Sequence, residues 1–155
     1  MALIESVYRE RGGGFLRLAL AETGDLDSAH DALQEGFARA VRSRASYRGT
    51  GPIEAWIARC VLNAARDSHR RVRESVNADG TDPASAIGAD VDSLVVREAV
   101  GQLPRRQREA LFLRHYLEFD YAAIATALGV EVGTVSATLH AARAALAQAL
   151  QEVTQ

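Results

Sequence analysis

Apolar residues recur at spacings of three and four along nearly the whole chain, and no stretch alternates over the length of a strand. That rhythm follows the 3.6-residue turn of a helix, so the fold must come from helices packed by their apolar stripes. At 155 residues the chain suffices for one ordinary domain or two small ones. One segment breaks the rhythm. Asn77-Ala-Asp-Gly-Thr-Asp-Pro-Ala-Ser is polar, acidic and rich in turn formers, with too little apolar surface to offset the entropy of ordering. The expected fold class is all-α. Two small helical domains, residues 1–74 and 91–155, are joined by a flexible acidic linker over 75–90. Fully extended, that linker reaches on the order of 50 Å; as a flexible coil it reaches about half as far.

Local signals divide the first domain into three helices. One runs from Leu3 to Glu22, open to interruption at Gly12-Gly13-Gly14 because glycine weakens helices, and Thr23-Gly24 ends it. Asp25 suits an N-cap for a second helix reaching Arg42, with Leu26, Ala29, Leu33, Phe37 and Ala40 on its apolar stripe. Ser46 to Pro52 reads as a loop. Pro52 and Glu54 then favour the start of a third helix, whose stripe is Ile53, Trp56, Ile57, Cys60, Val61 and Ala64 and which runs on to Arg70-Arg71. The second domain holds four shorter patterns. They are Val91 to Val100, a helix opened by Pro104 and containing Gln107 to Leu117, Asp120 to Leu128, and Val132 to Leu150. The last carries Val132, Val135, Leu139, Ala142, Leu146 and Leu150 as its stripe.

Charge is distributed very unevenly. The formal net charge is only −2, and all 18 basic residues are arginine. From Arg39 to Arg73, nine arginines face only Glu54 and Asp67, a net of +7. From Met1 to Ala38, seven acids face Arg9, Arg11 and Arg17, giving −4; from Glu74 to Glu98, six acids face Arg97, giving −5. From Ala99 to the end the charges cancel. One strongly basic segment thus sits inside an otherwise acidic or neutral chain, and a basic stripe is the electrostatic footprint of a nucleic-acid binder.

Other function classes find little support. No apolar run approaches the ~20 residues of a membrane span, and Met1 to Glu10 carries Glu5, Arg9 and Glu10 in place of a signal peptide's apolar stretch. A cytoplasmic location without membrane contact is the expectation. The single cysteine, Cys60, allows no internal disulfide or cysteine zinc cluster and reads as a small core residue. His30, His69, His115 and His140 are scattered, and the spacing of His30 from Asp27 and Asp31 is best taken as accidental. With no phosphate loop, serine elbow or zinc motif, the chain is expected not to be an enzyme and to hold no cofactor and no metal.

The strongest local motif is Tyr121-Ala-Ala-Ile-Ala-Thr-Ala-Leu-Gly-Val-Glu-Val-Gly-Thr-Val. Ala122, Ala125 and Leu128 pack one short helix on the next, Gly129 supplies a bend of positive φ, and Val135 and Leu139 bury the second helix. This is a helix-turn-helix, whose second helix enters the major groove by its N-terminal end. Gln102-Leu-Pro-Arg-Arg-Gln-Arg-Glu-Ala-Leu-Phe-Leu-Arg, Tyr121-Ala-Ala-Ile-Ala and Gly133-Thr-Val closely resemble region four of sigma factors. Asp31-Ala-Leu-Gln-Glu-Gly-Phe, Tyr47-Arg-Gly, Trp56-Ile-Ala-Arg and Asn63 resemble their region two. Order and spacing resemble the small sigma factors of the extracytoplasmic-function group, over nearly everything from Tyr8 to Leu150.

The resemblance implies partners and roles. RNA polymerase core and promoter DNA are the expected partners, with an anti-sigma factor possible in this group. Asp27, Asp31 and Glu35 stack on one helix face. Spacing alone leaves a solvated face open, whereas the resemblance gives Asp31, Gln34 and Glu35 to the polymerase clamp. Carboxylates there are suited to bidentate arginines. Arg59, Asn63, Arg66 and Arg70, with Arg71, fall along the basic helix, where arginine suits phosphate and asparagine suits base edges. Tyr47 and Arg48 precede it, an aromatic beside cations that suits an unstacked base; for Tyr47 a core role stays equally open.

The second domain departs from the family pattern. After Gly133-Thr-Val the chain reads Ser136-Ala-Thr-Leu-His-Ala-Ala-Arg. Ser136, Thr138 and Ala141 stand where basic residues are common, leaving Arg143 alone. Phosphate contacts dominate affinity, so this domain is expected either to bind upstream DNA weakly, to read it through Thr134, Ser136, Thr138 and Arg143, or to have turned toward protein contacts. Leu62, beside Asn63, is a second departure. The expected function is promoter selection and opening. The alternatives are a sigma-like regulator that binds polymerase or an anti-sigma factor without selecting promoters, and a freestanding helix-turn-helix repressor.

Overall fold

The computed structural model describes residues 1–75 and 92–154. From residue 76 onward the expected linker lies outside the described residues, and so does the start of the Val91 helix. Seven α-helices occur among the described residues, with no strand.

The first is α1, Ala2–Thr23, and it runs straight through the three glycines. A Cβ on Gly12 or Gly13 would meet nothing, but one on Gly14 would come within 2.7 Å of Leu117 Cδ2 and 2.9 Å of the Tyr116 carbonyl. The helix persists because packing outweighs propensity, and Gly14 is the point where another helix end is admitted. Gly24 closes α1 in the left-handed region at φ 83. Asp25 then caps α2, Leu26–Arg42, accepting from the Ser28 amide at 2.8 Å. A short 3-10 turn at Arg44–Ser46 leads to α3, Ile53–Ser75.

Gly36 lets α2 and α3 approach as closely as backbones allow, since a Cβ there would lie 2.6 Å from Val61 Cα. Phe15, Leu18, Ile57, Val61 and Leu62 are fully buried, and the Phe37 ring meets the rings of Phe15 and Tyr8 edge-on at 5.4 and 5.0 Å. The stripe expected on α3 is broader than drawn. Ile53, Trp56 and Cys60 are half-buried at its margin, and Leu62 is buried because α3 is covered by α1, α2 and α6 together.

The remaining helices are α4 (Asp92–Gly101), α5 (Arg105–His115), α6 (Tyr121–Leu128) and α7 (Val132–Thr154). Asp120 caps α6 through the Ala123 amide at 2.8 Å. At its far end Gly129, φ 68, donates to the Thr126 carbonyl while Val130 donates to Ala125, the paired bonds of a Schellman stop. The axes of α6 and α7 meet at 99°, within the helix-turn-helix range. Val135, Leu139 and Ala142 are buried as expected, but Val132 is 47% exposed, because the first turn of α7 projects beyond α6. Among the described residues no single helix is long and apolar enough to cross a membrane.

The two halves do not hold separate cores. Helix α1 packs on α5 and α3 on α6, and one hydrophobic cluster runs through both. Arg11 donates to the Leu117 carbonyl and also lies 5.7 Å from the Phe119 ring centre, while Arg17 lies 4.8 Å from that of Tyr116. Sequence periodicity could not show this docking, because it arises between helices far apart in the chain.

Candidate nucleic-acid interface

The acidic face of α2 holds Asp27, Asp31 and Gln34 exposed, with Glu35 partly covered. Glu35 accepts from Arg39 Nε at 3.1 Å and from Arg42 Nη2 at 2.9 Å. These two hydrogen bonds hold its carboxyl below the usual range. Arg39 also reaches Asp67 at 3.0 Å, so α2 is laced to α3. The charge of Glu35 is therefore already shared within the chain, whereas Asp31 and Gln34 face outward.

The basic face of α3 is less open than its sequence suggests. Arg59 and Asn63 are exposed, and the Arg59 guanidinium lies about 3.5 Å from where a Cβ on Gly129 would stand, against the helix-turn-helix bend. Asn63, Arg66 and Arg70 line one cavity of about 830 Å³ between the halves, together with Glu22, His69 and Arg105. Arg66 is turned inward. It donates to both carboxylate oxygens of Glu109 in α5, at 3.0 Å from Nε and 2.8 and 2.6 Å from Nη2. Arg70 reaches Asp67 at 3.2 Å. Arg71 donates to the Asp67 carbonyl and lines a second hollow with Asp31 and Glu35, about 80° around the helix from Asn63.

Tyr47 is half-buried. Its ring lies 5.5 Å from that of Trp56, tilted by 40°, and its hydroxyl donates to the Gly51 carbonyl at 2.5 Å. Arg48 is exposed beside it. Trp56, expected on the buried stripe of α3, is also the aromatic support of this loop.

On the helix-turn-helix, Thr134, Ser136 and Arg143 are exposed. Thr138 is half-buried, with its hydroxyl donating to the Thr134 carbonyl at 2.7 Å. Two arginines of α5 are turned to neighbouring carbonyls. Arg106 donates to the Leu128 carbonyl at 2.7 Å and Arg114 to that of Phe119 at 3.0 Å, both bracing the motif from behind.

Two residues to which the sequence gives no role, Glu22 and Glu109, sit at the centre. Glu22 is 3% exposed and Glu109 is fully buried. Burial first, then the hydrogen bond and charge of Glu109, push the Glu22 carboxyl up to about 8, against the pull of Arg66 and Arg108. A carboxylate inside Leu18-Ala-Leu-Ala-Glu22 and another beside Ala110-Leu-Phe-Leu were the available signals. At Cys60 burial raises the thiol, in keeping with a core role. Among the described residues no three histidine, cysteine or acidic side chains converge as a metal site.

Comparison with known proteins agrees with this layout. Residues 7–74 match the family profile of Sigma-70 region 2, and residues 93–146 match that of Sigma-70, region 4. The chain is 33% identical to the ECF RNA polymerase sigma factor SigL of Mycobacterium tuberculosis H37Rv, covering 98% of this chain and 91% of that one. It is 32% identical to SigM of the same organism, over 94% and 76%. It is 28% identical to the RNA polymerase sigma factor YlaC of Bacillus subtilis, over 90% and 87%. Two solved structures share the fold. CnrH in complex with the cytosolic domain of CnrY has a TM-score of 0.73 at 22% identity, covering 96% of this chain and 88% of that one. The sigma factor RpoE of Bartonella quintana, in complex with the anti-sigma factor NepR, has 0.76 at 21%, covering 97% and 98%. With both regions present in order and full-length relatives above 30% identity, the chain belongs to the extracytoplasmic-function group of RNA polymerase sigma factors.

Proposed function

We propose that this chain directs RNA polymerase to promoters and helps open them, with the division of labour that its surfaces suggest. Asp31 and Gln34, with Glu35, form the polymerase contact. Arg59, Asn63 and Arg70, with Arg66 once freed from Glu109, meet the downstream promoter element, and the Tyr47–Arg48 loop holds an unstacked base. Arg71, lining the hollow beside Asp31 and Glu35, is better placed to tune the α2 contact than to touch the same bases. Thr134, Ser136, Thr138 and Arg143 meet upstream DNA. The residue limits 1–74 and 91–155 serve as the two functional domains, and the chain acts without catalysis of its own.

The observation that carries this reading is the placement of an exposed acidic face and a basic asparagine-bearing helix on one tightly packed helix pair, followed in the chain by a helix-turn-helix. An anti-sigma partner fits the same reading, since the RpoE chain of similar fold is held by one. Transcription with purified core polymerase tests it. Promoter-specific initiation is expected, and Asp31→Arg should weaken core binding without loss of helix content, because the side chain is exposed. Tight core binding without initiation would identify a sigma-like regulator instead.

A further inference from the structure

The groups that hold the two halves together include groups that the proposed function needs elsewhere. Arg66 gives its guanidinium to Glu109, not to solvent. Asn63 and Arg70 face the cavity between the halves, and Arg59 lies against the bend of the helix-turn-helix. Behind Arg66 lie two buried carboxyls, Glu22 and Glu109, and Glu22 Oε1 has no hydrogen-bond partner. Arg66 is paired with Glu109, and Arg108 acts on Glu22 only through its charge, so Glu22 is the buried carboxyl without an ion pair and is the one that burial keeps neutral.

We propose that Glu22, Glu109 and Arg66 form a proton-holding latch that keeps the free protein closed, with Arg66 held away from DNA and the cavity face of α3 narrowed until the latch releases. The proposal rests on the functional reading above for what Arg66 does once released. In the closed state Glu22 carries the proton and Glu109 takes the arginine. On opening, both carboxyls reach water, the proton leaves, and Arg66 is free for phosphate.

The surroundings set the direction of the pH response. From α3, Arg66, Asp67, His69, Arg70, Arg73 and Glu74 face this cavity; from α5, Arg105 does so, and Arg108 acts on Glu22 through its charge; from α2, Arg39 completes the wall. The closed state holds Glu22 protonated up to about 8, against an ordinary 4.5. Closure is therefore fully supported below the ordinary carboxylate range and is lost as pH rises through about 8. His69 acts in the opposite sense, since burial and Arg73, Arg108 and Arg105 lower it from 6.5, but above that ordinary value it is neutral in both states. Near neutral pH and above, the response belongs to Glu22.

Small-angle X-ray scattering of the full chain tests the latch. From about pH 7 to about pH 8 the ratio of closed to open molecules should fall by up to about tenfold, read as a growing radius. Glu22→Gln mimics the protonated acid and should stay compact at both pH values. Glu109→Lys places a cation against Arg66 and should be open at both. Gly14→Ala opens the interface by sterics alone, with Leu117 and the Tyr116 carbonyl in the way, while alanine strengthens α1; circular dichroism should show its helix content retained. Variants of Glu109 and Gly14 as compact as the parent would overturn the proposal, as would Glu22→Gln expanding with pH just as the parent does. Scattering needs neither polymerase nor DNA. A failed latch would thus leave promoter selection standing, and a failed transcription assay with an intact pH response would fault only the functional reading.

Discussion

Two helices of this chain are expected to meet DNA, and they present themselves in opposite ways. Helix α3 carries five arginines, yet Arg66 is engaged by Glu109 across the halves and Arg70 by Asp67 within the helix. Helix α7 offers Thr134, Ser136 and Arg143 in the open, with one cation among them. The charge available to a partner is the charge in the sequence less whatever the fold has already matched. By that measure the two faces of the folded chain are closer in strength than their composition suggests, and α3 gains its full advantage only when the halves separate.

The largest expected effect comes from removing the cation that links them. Arg66→Ala leaves the Glu109 carboxylate buried without its cation, and breaking a buried pair from one side costs ~3–5 kcal/mol. Denaturant unfolding at neutral pH should show a loss of that order. A loss under about 1 kcal/mol, the value of a surface pair, would mean that Arg66 is not committed to the closed state and that the contrast between the helices is false.

Next come the readers on α3. Asn63→Ala should erase base discrimination by about 1–3 kcal/mol, whereas Arg70→Ala should weaken binding to all sequences alike and reduce the salt slope by about one. Holoenzyme titrations on matched and mismatched promoters separate the two, and equal effects of both variants on discrimination would remove the distinction between reader and clamp. On α7 the test runs in the other direction. Ser136→Lys with Thr138→Arg adds two cations to the first turns of α7, at an exposed and a half-buried position, and should steepen the salt slope by about two. An unchanged slope would show that α7 does not face the backbone at all.

Much of the fold could be read locally. The caps at Asp25 and Asp120, the stops at Gly24 and Gly129 and the right-angled helix pair depend on residues within one or two turns, and those signals are printed in order along the chain. The docking of the halves could not be read, because Arg66 and Glu109 stand 43 residues apart and nothing in either neighbourhood names the other. Gly14 shows the same blindness from the other side. In the sequence it weakens a helix; in the fold it admits Leu117. The exposure of Asp31 and Gln34 on α2 and of Thr134, Ser136 and Arg143 on α7 was legible because it follows from helical phase, whereas Arg66 and Arg71 share a basic run that phase divides.

The smallest expected effect tests the hinge of that docking. Glu118 sits at φ 54, where a side chain is strained, and its turn carries Leu117 inward toward Gly14. Glu118→Gly relieves a cost of roughly 1–2 kcal/mol against the added freedom of glycine when unfolded. A net gain of no more than about 1 kcal/mol is expected in thermal unfolding, and a loss would mean that the Glu118 side chain supports the turn.

Gly36 has a consequence for measurement on the molecular scale. With Val61 Cα only 2.6 Å from where its side chain would begin, α2 and α3 have no room to slide and behave as one stiff strut. Whatever grips the outer side of α2 thereby fixes the position of Asn63 on the far side of the strut. Under the proposed roles of the two helices, the distance from polymerase to base is then a constant of the protein, and a single methyl group at residue 36 would change the gauge.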